Sequence, residues 1–245
     1  MNYLPDKYNR EIEKLKTFLH EHYPNQLKLI TLTGSAAYGK IIEDISDLDF
    51  LIMLDVATPD DYRKIMSFKK ELTMKVDIII ISERQVKHLY LDYNSVYYLY
   101  LLKIGHIKPI YINDNLEINI SKKVMFSFIK NILSLNIRTL KRLVYDEESM
   151  NSYMITKYAS YVVKNYLILN ETFAENIEIT FNEFNKISRL EFPVDIKAAL
   201  SNSLNKDDFN LLVNFVDKIV LFMDTITTEE LMLDENGSLF DTLPR

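Results

Sequence analysis

Cysteine and tryptophan are missing from this sequence, and glycine is rare, with 4 residues among 245. The lack of cysteine excludes disulfide bonds and thiolate metal ligands, and it fits a reducing compartment. No run of apolar residues approaches the ~18 that are needed to cross a bilayer. The opening residues, MNYLPDKYNREIEKLK, lack the apolar core of a signal peptide. We therefore expect a cytoplasmic protein with no membrane partner.

The sequence has fewer basic than acidic residues: 29 basic residues against 35 acidic ones give a net charge of −6. That balance argues against broad, non-specific binding to nucleic acid, which depends on neutralising phosphates, although a local basic groove is still possible.

The length of the chain allows one large domain or two small ones. A hydrophobic content of 48% is ordinary for a folded globular chain.

The order of the sequence patterns predicts two domains. In the first half, strands are expected at 27–33, 49–54, 74–81 and 107–112, and helices at 7–20, at 60–72 and from Ser82 to Gly105. After residue 118 only helical patterns follow, at 122–145, 149–169, 181–190, 194–204 and 208–233. We therefore expect an α/β domain over residues 1–117 and an all-α helical bundle over residues 118–245.

Two of the few glycines lie close together, in the segment TGSAAYGK that runs from Thr33 to Lys40. A strand that ends at Gly34 and turns directly into a helix exposes unpaired backbone N–H groups beside the positive end of the helix dipole. Gly34 would let a phosphate approach closely, and Ser35 would add a hydroxyl. Lys40 follows Gly39 and could either contact a phosphate or remain solvated. A Gly-Ser pair alone is weak evidence, because it is common in turns.

Three aspartates strengthen this prediction. Asp47 and Asp49 are two residues apart, so in a strand both carboxylates point to the same face. Asp77 lies within the apolar run VDIIII, where an isolated carboxylate would be costly to bury. Meeting at one place and sharing hard cations would explain all three. Oxygen ligands without cysteine or a nearby histidine indicate Mg²⁺ or Mn²⁺.

Each of these features also has an ordinary structural explanation. Asp47 could cap a turn after Ser46, and Gly34 could mark a plain strand end. Asp77 could pair with Lys75 or face solvent. The joint occurrence of all the parts, in this order and spacing, favours the functional interpretation.

At this point GSAAYG, SDLDF and VDI together resemble the nucleotidyltransferase superfamily with the DNA polymerase β-like fold. The size and the helical second half are similar to those of small bacterial antibiotic adenylyltransferases. They are also similar to those of minimal nucleotidyltransferases that are fused to, or partnered by, a HEPN-type helical domain. The resemblance implies an α+β domain with a small mixed sheet, followed by a bundle that binds the acceptor or dimerises.

The resemblance also implies roles for the residues of the motif. Gly34 and Ser35 would hold the β- and γ-phosphates of ATP. Asp47 and Asp49 would ligate two Mg²⁺ ions, with Mn²⁺ as the alternative. Asp77 would ligate the catalytic metal and help to deprotonate the attacking hydroxyl. Catalytic and metal-binding roles thus fall on the same three carboxylates.

Further candidates lie around this motif. Ser46 is expected to orient a carboxylate in the nucleotide site. Tyrosines crowd the helix after the Asp77 strand and could line the cleft, although a tyrosine stripe is more typical of a core. Asp146, Glu147 and Glu148 could bind a cationic acceptor or supply a base, or they could form a polar linker between two helices.

These features predict a Mg²⁺-dependent transferase that moves AMP from ATP to a hydroxyl of a small acceptor, such as an aminoglycoside-like antibiotic, and releases pyrophosphate. One alternative is an enzyme of the toxin–antitoxin type that modifies a protein or a tRNA. A second alternative, of another class, is a catalytically silent nucleotide-binding module. No arginine is followed by a histidine at the spacing of HEPN ribonucleases, so RNase activity is not expected, and a homodimer is left open.

Overall fold

The computed structural model describes residues 4–39, 47–145 and 151–233, with side chains as far as residue 225. Lys40, Ser46 and the acidic segment Asp146–Glu148 lie outside the described residues. The chain divides into two compact units, residues 1–129 and 130–245. The domain boundary at 117/118 stays a prediction.

The first unit contains a sheet of four strands in the order β3–β2–β1–β4. The strands are β1 (Leu27–Thr33), β2 (Leu48–Leu54), β3 (Val76–Ser82) and β4 (Tyr111–Ile112). β1 runs antiparallel to both β2 and β4, whereas β2 and β3 are parallel. The sheet is therefore mixed, as expected. The short β4 lies at an edge, in agreement with the proline that precedes it.

The helices of the first unit are α1 (Asp6–His22), α2 (Pro59–Lys69), α3 (Glu83–Lys87) and α4 (Tyr93–Lys103). Capping boxes at Thr58 and Ser82 begin α2 and α3. The prediction of one continuous helix from Ser82 to Gly105 is wrong. Leu89 has a φ of 56°, which breaks the helix, and Asp92 caps α4 by accepting a hydrogen bond from the Ser95 N–H at 3.1 Å.

One large apolar cluster of the first unit forms on one face of this sheet. Leu48, Phe50 and Ile52 of β2 are buried there together with Tyr8 and Leu15 of α1. Nearly every residue of β2 is buried, which confirms that it is a central strand covered on both faces. Its one half-buried position is Asp49. The apolar strand therefore carries its single carboxylate to the rim of the core.

The second unit is helical, as predicted. Its helices are α5 (Lys122–Tyr145), in which the division between the units falls, α6 (Ser152–Leu169), α7 (Ile177–Ser188), α8 (Ile196–Leu200) and α9 (Lys206–Leu233). Phe181, Phe184 and Phe215 lie at the centre of its core. None of the helices in the described part of the chain combines the length and apolar character that a membrane span requires.

Candidate active site

Two of the predicted carboxylates lie side by side on neighbouring strands. Asp49 of β2 is in register with Asp77 of the parallel strand β3, and on its other side it is in register with Thr33 of β1. Side chains of registered residues point to the same face of a sheet, and adjacent strands are about 4.8 Å apart. Thr33, Asp49 and Asp77 therefore form one row at the end of three strands, next to the turn that begins at Gly34.

Gly34 is required at this turn for two reasons. Its φ of 59° lies in the left-handed region that favours glycine. In addition, a β-carbon on residue 34 would overlap Oδ2 of Asp49 and lie 3.4 Å from Cγ of the same side chain. The glycine thus lets the Asp49 carboxylate approach the backbone directly. The sequence predicts a close approach at Gly34, and in this structure the group that approaches is a carboxylate of the same chain.

The backbone N–H of Gly34 donates a hydrogen bond to the hydroxyl of Tyr98, with an N–O distance of 2.7 Å. Tyr98 lies on α4 and is only 7% exposed. Burial raises the pKa of Tyr98, and the negative charge of Asp49 adds to the rise, so the hydroxyl stays protonated. Sequence reasoning missed this role, because nothing in a tyrosine-rich helix distinguishes the one hydroxyl that reaches the turn.

The other two carboxylates are paired with lysines. Asp47 forms an ion pair with Lys75, and Asp77 forms one with Lys69 at 3.4 Å. The Asp77 side chain is 75% exposed, so the expectation of a buried charge in VDIIII is wrong. Asp77 is the second residue of β3, where the strand has only begun to enter the core. Asp77 contacts Lys69 of α2 and not Lys75, the partner considered from the sequence. Lys75 forms its ion pair with Asp47.

The remaining predicted residues either follow Gly34 in the turn or lie outside the described residues. Ser35 is half-buried in the 3₁₀ turn Gly34–Tyr38. The Tyr38 hydroxyl at the end of this turn lies 3.4 Å from that of Tyr97. Lys40 and Ser46 lie outside the described residues, so their predicted contacts with phosphate or carboxylate stay predictions.

The described residues provide part of the predicted set of metal ligands. Among the side chains described, those of residues 4–39, 47–145 and 151–225, no group of three Asp, Glu, His or Cys is close enough to hold an ion. Asp49 and Asp77 nevertheless offer carboxylate oxygens from adjacent positions, and this donor chemistry suits Mg²⁺. The structure therefore brings two of the predicted ligands together, while Asp47 contacts Lys75.

The helical unit contains a basic cavity of its own, of about 220 Å³. Lys157, Lys164, Tyr153 and Tyr161 are among the residues that line it. Burial lowers the pKa of Lys164 to about 8. The lining of this cavity thus includes the side chains of two lysines and two tyrosines.

Comparisons with known proteins agree with the fold and with the motif. Residues 12–93 match the family model described as a nucleotidyltransferase domain, which confirms the resemblance over that segment. The fold is similar to that of spectinomycin adenyltransferase AAD(9) from Enterococcus faecialis, solved with ATP and spectinomycin. That likeness has a TM-score of 0.56 at 16% identity and covers 86% of this chain and 98% of the other.

A second solved structure is less similar. It is a nucleotidyltransferase-like protein from Exiguobacterium sibiricum 255-15, with a TM-score of 0.33 and 9% identity over 92% of this chain and 81% of the other. No curated protein sequence matches the chain significantly.

Proposed function

We propose that the protein transfers AMP from ATP to a hydroxyl of a small acceptor with the help of Mg²⁺, on the basis of the match of residues 12–93 to the nucleotidyltransferase domain model. The observation that carries this proposal is the register of Asp49 with Asp77 beside the Gly34 turn. All three residues fall within the segment that matches the family. The two carboxylates repel each other at the same end of adjacent strands, and a divalent ion would relieve that repulsion more fully than the exposed ion pair of Asp77 with Lys69 does.

Asp49 and Asp77 are the residues that would hold Mg²⁺, and Asp47 would join them by exchanging its ion pair with Lys75. The ion, when bound, neutralises phosphate charge and orients the phosphates for in-line displacement. Ser35 and the turn around it would contact the β- and γ-phosphates. Asp77, which is open to solvent, would accept the proton of the attacking acceptor hydroxyl. In this reaction the acceptor oxygen would form a bond to the α-phosphorus of ATP, and the bond from that phosphorus to the oxygen bridging it to the β-phosphorus would break, so that pyrophosphate leaves.

The fold shared with an adenyltransferase supports a small, hydroxylated acceptor. The acidic segment Asp146–Glu148 is the candidate for binding a cationic acceptor. Modification of a tRNA fits less well, because a net charge of −6 opposes an extended phosphate interface. The chain is expected to work as a cytoplasmic enzyme, and a homodimer is left open.

Thermal unfolding with ATP, GTP, CTP and UTP, each with and without Mg²⁺, tests nucleotide binding without knowledge of the acceptor. A nucleotide present at 100 times its Kd adds about 2.7 kcal/mol to the free energy of unfolding. We expect a Mg²⁺-dependent rise in Tm with ATP, and no such rise for Asp49→Asn or Asp77→Asn.

The matched control is Asp55→Asn, which removes an exposed carboxylate just beyond the opposite end of β2. This variant should keep the full response to ATP and Mg²⁺. An equal loss in all three variants would indicate a general effect of charge. If no nucleotide raises Tm in the wild type, the proposed function is wrong. A positive result leads to a screen of hydroxylated acceptors with labelled ATP.

A further inference from the structure

We propose that Tyr98 is a positioning residue that holds the Gly34 turn against the carboxylate of Asp49, and so sets the geometry in which nucleotide and Mg²⁺ bind. This role rests on the proposed function. Tyr98 is far from Gly34 in the chain and lies on α4, outside the motif that carries the resemblance. Its hydroxyl accepts the Gly34 N–H at 2.7 Å.

The three groups form a short chain of contacts. Tyr98 fixes the backbone nitrogen of Gly34, and the α-carbon of Gly34 lies directly against the Asp49 carboxylate. Because there is no room for a β-carbon between them, a small rotation of the turn would either press on Asp49 or withdraw from it. The position of this carboxylate therefore depends on what holds the turn.

Tyr98 is suited to hold the turn because it is itself immobilised. Its side chain is 7% exposed, and its ring packs edge-on against Tyr97 with the centroids 5.0 Å apart. A ring buried in this way does not leave when a ligand arrives. We therefore infer that the Gly34 N–H stays bonded to Tyr98 in the nucleotide complex, and that phosphate contacts fall on Ser35 and the residues after it.

Replacing Tyr98 by phenylalanine would remove the acceptor and keep the ring. The Gly34 N–H would then lose its partner at a half-buried position, which is unfavourable unless the turn shifts toward water. We expect the turn to shift, the Asp49 carboxylate to move with it, and the Kd for ATP in the presence of Mg²⁺ to rise about tenfold, the factor that corresponds to one lost hydrogen bond.

Tyr97→Phe is the matched control. Tyr97 is the preceding residue of the same helix and is 1% exposed, and its hydroxyl lies 3.4 Å from that of Tyr38. Both variants therefore remove one buried phenolic oxygen from α4. They differ in that only Tyr98 contacts the Gly34 N–H. Loss of stability alone should affect both variants, whereas loss of positioning should affect only Tyr98→Phe.

The scarcity of glycine makes the contact directly measurable by NMR. Each of the four glycines follows a different residue type, in the pairs Thr33–Gly34, Tyr38–Gly39, Ile104–Gly105 and Asn236–Gly237. Protein labelled with ¹³C-carbonyl threonine and ¹⁵N-glycine therefore gives a carbonyl-filtered amide signal from Gly34 alone. This signal can be followed in the full-length protein during titration with ATP and MgCl₂.

We expect Tyr98→Phe to shift the Gly34 amide proton upfield and to weaken ATP binding about tenfold, while Tyr97→Phe keeps both the signal and the Kd within twofold of wild type. A Tyr98→Phe protein that has a lower Tm but binds ATP as wild type does would overturn the positioning role. A wild type that binds no ATP with Mg²⁺ would overturn the proposed function as well, and the wild-type titration by itself identifies that case.

Discussion

A carboxylate oxygen of Asp49 occupies the space in which a side chain on residue 34 would begin. This relationship joins the two halves of the sequence motif, since Gly34 directly follows β1 and Asp49 is the second residue of the adjacent strand β2. It also explains why residue 34 is a glycine without reference to any ligand. The Gly34 turn packs directly against the Asp49 carboxylate within the same chain.

Gly34→Ala should abolish Mg²⁺-dependent ATP binding, and it should lower the free energy of unfolding by more than about 1 kcal/mol, the usual cost of a left-handed alanine. The added methyl group would displace the Asp49 carboxylate from its position beside Asp77. Chemical denaturation and titration with ATP and MgCl₂ measure the two effects separately.

Gly105→Ala is the control for backbone strain. Gly105 has a φ of 72°, but a β-carbon there would meet nothing within 4 Å. This variant should be destabilised by about 1 kcal/mol and should bind ATP normally. If Gly34→Ala binds ATP as well as Gly105→Ala does, the overlap with Asp49 has no functional consequence.

Glu11 should make stability depend on pH in the acidic range. Its buried carboxylate accepts the Thr73 N–H at 2.8 Å and pairs with Lys14 at 2.6 Å. Burial alone would raise the pKa of Glu11, but these partners lower it below its ordinary value. A lowered pKa in the folded state stabilises the protein above the unfolded pKa, and that contribution is lost as the pH falls through the folded pKa.

Glu11→Gln should therefore reduce the free energy of unfolding by about 1–3 kcal/mol at pH 7, and the difference from wild type should shrink toward pH 3. Urea denaturation across this range measures it. Glu13→Gln, at an exposed side chain that pairs with Lys16 at 3.2 Å, should change stability by less than about 1 kcal/mol. Equal effects of both substitutions would contradict the role of burial.

Lys164 should also make stability rise with pH, but in the alkaline range. Burial lowers its pKa from 10.5 to about 8, so between these values the unfolded chain binds more protons than the folded one. Stability contributed by this residue should then rise with pH from 8 to 10.5. Lys164→Met should remove that rise, and Lys186→Met, on the exposed face of α7, should retain it. A side-chain NMR titration midpoint near 10.5 in the wild type would contradict the expectation.

Lys75 should weaken the binding of divalent cations. Its ammonium group pairs with Asp47 while remaining 81% exposed, so the pair should contribute less than about 1 kcal/mol to stability. Lys75→Met should leave Tm nearly unchanged and tighten Mn²⁺ binding about two- to fivefold at low salt, with a smaller gain at high salt. Weaker ATP binding in this variant would instead indicate that Lys75 contacts a phosphate.

Local patterns in the sequence predict much of this fold. The apolar run of β2, the capping box at Ser82 and the helical periods of the second half require no knowledge of distant residues, and the structure confirms them. The break at Leu89 is not predicted, because the surrounding residues favour helix and a single left-handed residue overrides them.

The same distinction applies to the site: local patterns predict some of its features, and packing between distant segments decides the others. The placement of Asp49 beside Asp77 follows from two strands that enter the sheet in parallel. The contact between Gly34 and Tyr98, and the choice of Lys69 as the partner of Asp77, depend on how α4 and α2 pack on that sheet. Such packing is decided by shape complementarity between distant segments, which no short pattern encodes.

The crossover from β2 through α2 to β3 has a consequence for the order of events during folding. Asp49 and Asp77 become neighbours only when this helix has closed the connection and the two parallel strands have paired. Pairing of that kind is slow relative to the formation of helices, because the loop entropy must be lost first. In a refolding experiment, helical signal should therefore return before affinity for nucleotide, and recovered affinity would mark the completion of the sheet.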